Sequence, residues 1–161
     1  MRTNYIKEVA EREKIIKTCK TCFIAVADEN TPYVVPMNFA LDGDTVLLHG
    51  AREGRKWEIL HKNPKICISW MLGEDLAWQD VQVGCSYRVK SKTVIAEGEA
   101  EFVEDFDEKV KCLNVFMTQY SSLSFQFSPP SVRNVGIIRV HVKEWSAKEF
   151  GAKATSVKKK E

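Results

Sequence analysis

VPMNFALDGDTVLLHGAREGRK, residues Val35 to Lys56, reads as two strands joined by a tight turn and running into a short helix. Asp42-Gly43-Asp44 is a tight-turn signal between two apolar, β-rich runs. It predicts a hairpin, with one strand over Tyr33 to Leu41 and an antiparallel one over Thr45 to His49. Pro36 lies inside the first run. Proline cannot donate to a sheet ladder, so an edge or a bulge is expected there. Gly50 to Gly54 breaks the second run. Arg55 to Lys62 then reads as a short helix with Trp57, Ile59 and Leu60 on its apolar side, stopped at Asn63-Pro64.

Outward from this hairpin the pattern is mostly of period two. Thr21 to Ala27 reads as a strand that ends in the turn cluster Asp28-Glu29-Asn30. Lys65 to Leu72 is another, followed by an expected loop over Gly73 to Val83. From Ser86 to Val103 a long strand or bent pair sets Val94, Ala96, Gly98, Ala100 and Phe102 against Glu97, Glu99 and Glu101. Val135 to Trp145 is the last predicted strand. Amphipathic helices are expected over Asn4 to Thr18 and over Asp105 to Tyr120, the second capped by Asp105. Ser121 to Asn134 reads as a loop. Short turns and alternation favour a mainly β fold, an antiparallel barrel with peripheral helices, over a parallel α/β sheet.

The chain of 161 residues suits one domain, expected over residues 1–147, with a basic, disordered tail over 148–161. Its net charge of +2 gives no electrostatic footprint for nucleic acid. The longest apolar run, Phe23 to Ala27, is far below the roughly 18 residues of a membrane span. The opening MRTNYIKEVAEREK lacks the apolar centre of a secretory signal, and the count of 5 cysteines is odd. Reduced thiols and a cytoplasmic location are expected. Cys19-Lys20-Thr21-Cys22 has no second ligand pair for zinc, and it leaves a helix rather than opening one as a thioredoxin motif does. Incidental thiols are the favoured reading, and no metal site is expected.

The chemistry concentrates where the hairpin ends. Gly50 and Gly54 let backbone amides approach a ligand, and Arg55 and Lys56 open a helix. A helix start and a forked guanidinium suit one phosphate. The same residues suit a solvated basic helix start, and the local pattern alone favours that plainer reading. Neither a Walker A ending nor a Rossmann glycine pattern is present. His49 fits a proton donor or a hydrogen-bonded strand-end histidine equally. His61 and His141 read as surface and strand-face residues. Glu97, Glu99 and Glu101 read as a solvated face. Trp57, Trp70 and Trp78 read as core or interface aromatics.

Four pieces together resemble a known family: PYVVPMNFALDGDTVLLHGAREGRK (Pro32 to Lys56), Asn63-Pro64, CSYRVKSKTVIAEGEAEFVED (Cys85 to Asp105) and VKEWSAK (Val142 to Lys148). They resemble the FMN-binding split-barrel proteins related to pyridoxamine 5′-phosphate oxidase, and most closely the branch of the 5-nitroimidazole resistance proteins. The resemblance implies an antiparallel split β-barrel and a homodimer with FMN in clefts between subunits. It implies a phosphate grip by Arg55 and Lys56. The strand around Pro36, Met37, Asn38 and Phe39 would pass the flavin ring, with His49, Gly50 and Ala51 at the neighbouring strand's end. It also places Thr93 near the flavin, from the other subunit, and Trp145 near the ring. The closing strand has no second basic cluster beyond Arg139, Tyr87 stands where related chains often carry Trp, and Lys92-Thr93 replaces Arg-Ser. The implied activity is therefore an FMN-dependent oxidoreductase acting on nitroaromatic-type molecules, with NAD(P)H as an electron donor and His49 assisting protonation. True pyridoxamine-phosphate oxidation is not implied. A non-catalytic FMN or haem module and an interaction protein with an empty cleft are the competing readings.

Overall fold

A computed structural model describes residues 3–151. In chain order the elements are β1 (Thr3–Tyr5), α1 (Val9–Thr18), β2 (Cys22–Asp28), β3 (Thr31–Met37), β4 (Phe39–Asp42), β5 (Thr45–Ala51), α2 (Arg55–Lys62), β6 (Lys65–Ala77), β7 (Arg88–Val103), α3 (Phe106–Thr118), α4 (Pro129–Asn134) and β8 (Val135–Phe150). Every strand pairing is antiparallel. The sheet runs β3-β2-β6-β7-β8-β5-β4, and β1 adds to β8.

The two ends of this order, β3 and β4, are consecutive in the chain and share only Asn38 as a link. The sheet therefore curls round until its ends meet at one residue. Below that residue the edge of β3 and the end of β5 face each other unpaired, which makes a split barrel. Pro36 sits on this edge strand, where its missing N–H breaks no ladder.

Alternation fills the barrel. Ile24, Ile68, Trp70, Val94, Leu48, Ile138 and Phe39 point inward and are buried. Fully burying such a side chain stabilises by roughly 1.5–3 kcal/mol. α1 adds Ile15 and Ile16 to the same cluster. Ala40, Leu47 and Ile137 point the other way, beneath Cys112 and Phe116 of α3, so β4, β5 and β8 are covered on both faces there. Asp105 caps α3 by accepting from the Glu108 N–H at 2.9 Å.

Several expectations are corrected. The run Tyr33 to Leu41 is two strands at opposite ends of the sheet. Thr3–Tyr5 is a strand paired with Lys148–Phe150, and the helix begins only at Val9. β6 continues through the expected loop to Ala77, past a register shift between Leu72 and Asp75 where Gly73 takes φ 80°. Of the long strand or bent pair expected over Ser86 to Val103, the structure has the long strand, from Arg88 on and preceded by a short 3-10 turn. α4 lies inside the expected loop, with Ser128 accepting from the Ser131 N–H. β8 runs to Phe150, so Lys148, Glu149 and Phe150 belong to the sheet and not to a tail. The rest of the expected tail lies outside the described residues. Trp57 and Trp70 are core residues, whereas Trp78 is 49% exposed and stacks on Tyr87. No helix among the described residues is long and apolar enough to cross a membrane.

Candidate functional site

The split gathers the two cations. Gly54, with φ 98°, turns the chain from β5 into α2, a conformation that favours glycine. α2 then begins with exposed Arg55 and half-buried Lys56. The Lys56 side chain lies along Gly50: a Cβ on that glycine would stand 3.6 Å from its Nζ and 3.8 Å from Met37 Cε. Arg55 lies over the ring of Tyr33, with its Cζ 4.7 Å from the centroid. One cation thus meets the edge strand at Tyr33, and the other lies along Gly50, which Met37 also approaches. Neither forms an ion pair among the described residues. A guanidinium and an ammonium without carboxylate partners, beside a helix start, form a donor set suited to a phosphate.

The strand crossing above them is clamped. The Tyr120 hydroxyl, just past α3, receives the Phe39 N–H at 2.9 Å and sits 2.8 Å from the Phe39 carbonyl and 3.2 Å from that of Lys20. Gln119 donates to the carbonyls of Lys17 and Cys19. Asn38 is exposed at the crossing and donates to the Lys20 carbonyl at 3.4 Å.

The other expected site residues are dispersed. Phe39 is wholly buried, edge-on to Trp70 at 5.4 Å. Pro36 is exposed on the outer face beside Phe23. Neighbouring strand residues face opposite ways, so His49 points away from Lys56. Its ring packs on Phe116 at 4.2 Å, and burial holds its pKa below the usual histidine value. Ala51 is exposed at the strand end, opposite Val135. Thr93 is on the outer face, paired with Met71. It lies about three strand spacings, roughly 14 Å, round the sheet from Met37. Trp145 points into the barrel, where it stacks on Trp70 at 6.1 Å and carries the Arg12 guanidinium at 4.4 Å. Within this chain Met37, Gly50, Arg55 and Lys56 are brought together; His49, Thr93 and Trp145 are not.

Sequence reasoning missed Tyr33 under Arg55, Tyr120 at the crossing and Gly136 under α2. The isolated glycine in Val135-Gly136-Ile137 is a legible sign of close approach. Nothing local marks the two tyrosines. Cys19 and Cys22 are both buried free thiols. Burial raises both, Cys22 to about 12, so neither is a ready thiolate. Among the described residues no group of His, Cys, Asp and Glu is arranged to hold a metal ion.

An open antiparallel barrel with a cationic pair at its split defines a split-barrel protein. The family profile described as pyridoxamine 5′-phosphate oxidase matches residues 8–149, and the chain belongs to that family. Among solved structures it is similar to a candidate 5-nitroimidazole antibiotic resistance protein from Bacteroides thetaiotaomicron VPI-5482. That match has 38% identity and a TM-score of 0.83, and covers 92% of this chain and 87% of that one. The flavocytochrome Anf3 from Azotobacter vinelandii shares the fold at 19% identity and TM-score 0.75, over 93% of this chain and 70% of that one. A FAD-binding protein from Mesorhizobium loti shares it at 17% and 0.67, over 92% and 99%. No curated protein sequence matches significantly.

Proposed function

We propose that this protein is a cytoplasmic, homodimeric FMN-binding oxidoreductase that passes electrons from a nicotinamide donor to small nitroaromatic-type molecules. The observation that carries this reading is the pair Arg55 and Lys56, held at the barrel's split on Tyr33 and Gly50 without a carboxylate partner among the described residues. A flavin phosphate has a charge of about −1.5 to −2, by analogy with phosphoryl side chains, which such a pair matches. Lys56 would hold the phosphate from the Gly50 side and Arg55 from the Tyr33 side. The free edge of β3 at Pro36 and Met37 offers a wall for a flat ring. Bound FMN would supply the hydride and electron chemistry, while the chain supplies orientation and access.

The dimer is supported by the outer face of β2, β3 and β6. Phe23, Val34 and Met71 are 51%, 58% and 46% exposed there, on the side opposite the buried Ile24, Ile68 and Trp70. A contiguous exposed apolar face of this kind suits a second copy of the chain. Thr93 lies on the same face, so a partner packed against it would meet Thr93 at the interface.

The test is titration of the purified protein with FMN, read by flavin fluorescence and visible absorption. Replacing Arg55 or Lys56 by Ala removes a charged hydrogen bond of about 1.5–3 kcal/mol, so affinity should fall at least about tenfold each. Wild-type protein that takes up no FMN refutes the reading. A second reading, a module that binds FMN or haem without turnover, draws on His49, which faces Phe116 rather than the Lys56 ammonium. Reduction of the bound flavin by NAD(P)H and reoxidation by a nitroaromatic would decide for the enzyme.

A further inference from the structure

The cationic pair is only as well placed as the first turn of α2, and that turn rests on one glycine. Trp57, the residue after Lys56, is buried, and its ring lies directly on Gly136 near the start of β8. A Cβ on Gly136 would stand 2.3 Å from Trp57 Cζ2 and 2.7 Å from Cη2, a separation that real Cβ atoms do not show. Gly136 needs no special backbone angle, since it is not among the glycines of positive φ. What it supplies is room. The indole N–H of Trp57 is buried and finds no acceptor among the described residues, so the ring acts there through its shape rather than through a hydrogen bond. Phe102 packs on the same ring at 4.8 Å and Trp57 is buried, so the ring is confined. Gly136 is also the direct cross-strand partner of Gly50, the glycine along which Lys56 runs. Two glycines paired across adjacent strands therefore seat consecutive side chains of α2, Lys56 on one and Trp57 on the other.

We infer that Gly136 and Trp57 are positioning residues for the anion grip: the Gly136 seat fixes the height of α2 and so sets where Arg55 and Lys56 meet a phosphate. This rests on the phosphate-holding reading of that pair. Adding a methyl at Gly136 must lift Trp57, and Lys56 moves with it. A flavin without a phosphate does not sense the change.

The test compares FMN with riboflavin in the full-length protein, by fluorescence titration. In wild type FMN should bind at least about tenfold tighter than riboflavin. Gly136→Ala should weaken FMN at least about tenfold and leave riboflavin within about twofold. Adding Trp57→Phe, which lacks the two clashing ring atoms, should bring FMN back to within about threefold of wild type. A double-mutant cycle of this form isolates the contact itself. Should Gly136→Ala alone not fold, Trp57→Leu unseats α2 without adding bulk, and the same selective loss of FMN is expected. Wild-type protein that fails to prefer FMN ends both the phosphate reading and this inference. A wild-type preference that survives in folded Gly136→Ala or Trp57→Leu, or a parallel loss of FMN and riboflavin, ends this inference alone.

Discussion

Replacing Tyr120 by Phe removes one oxygen from the point where the sheet's two ends meet. That oxygen receives the Phe39 N–H at 2.9 Å and lies within hydrogen-bond distance of the Phe39 and Lys20 carbonyls, at 2.8 and 3.2 Å. Phe39 itself is fully buried, so its N–H has no water to turn to. Leaving a buried donor unpaired costs about 1–3 kcal/mol. The ring of Phe would still stack on Phe116, now 5.4 Å from the Tyr120 ring, so packing is conserved and the loss is that of the hydroxyl. We expect about 2 kcal/mol of destabilisation, which for a domain of this size lowers Tm by about 4–8 °C. Urea unfolding should show a lower midpoint with an unchanged slope. A loss below about 0.5 kcal/mol would mean that the crossing is held by the sheet alone and that the clamp is incidental.

The Cys22 thiol is raised from 9.0 to about 12 by burial, so above pH 9 the unfolded chain loses this proton while the folded chain keeps it. Stability should then fall by about 1.4 kcal/mol per pH unit between pH 9 and the folded value, and Cys22→Ala should flatten that slope in pH-dependent urea melts. Burial lowers the His49 pKa, so protons favour the unfolded chain as pH falls below 6.5; an NMR titration of its ring should give a midpoint under 6.5, and a midpoint above it would contradict the packing on Phe116. Tyr33→Leu removes the aromatic face beneath Arg55, worth about 0.5–1 kcal/mol, and should weaken FMN about two- to fivefold in the fluorescence titration with no change in riboflavin.

The sequence carried most of the sheet because alternation is local: Val94, Ala96 and Ile68 announce their buried face from their neighbours. It could not show that Tyr33 to Leu41 divides at Asn38. Met37 is buried, Asn38 exposed and Phe39 buried, so the alternation passes through the break unchanged. Barrel curvature and a hydroxyl from far along the chain decide it. The strand beyond Leu72 is hidden by Gly73-Glu74-Asp75, whose pairing partners lie near Lys90. Lys148 to Phe150 lack a period-two pattern and are strand only because β1 and β7 flank them. At the site, glycine and charge marked Gly50, Arg55 and Lys56. His49 alternates with the buried Leu48 and so lies on the α3 face, and which of the two faces receives α2 is a tertiary matter that composition does not encode.

The single-residue seam at Asn38 also governs how this family of shapes can vary. Because the barrel's free borders are sewn together there, the gap between β3 and β5 behaves like a pocket stitched along its top: it gains depth from its lower rim, not its upper one. Extra residues in the Glu29-Asn30 turn would lengthen β2 and β3 together and deepen the slot with the interior packing untouched. A single insertion at Asn38 would slacken the seam, because the register of Phe39 is held by β5 opposite Leu48 while the link to Met37 would no longer be taut. Diversity in what such a slot admits is therefore expected at the hairpin's foot, while the stitch itself stays one residue long.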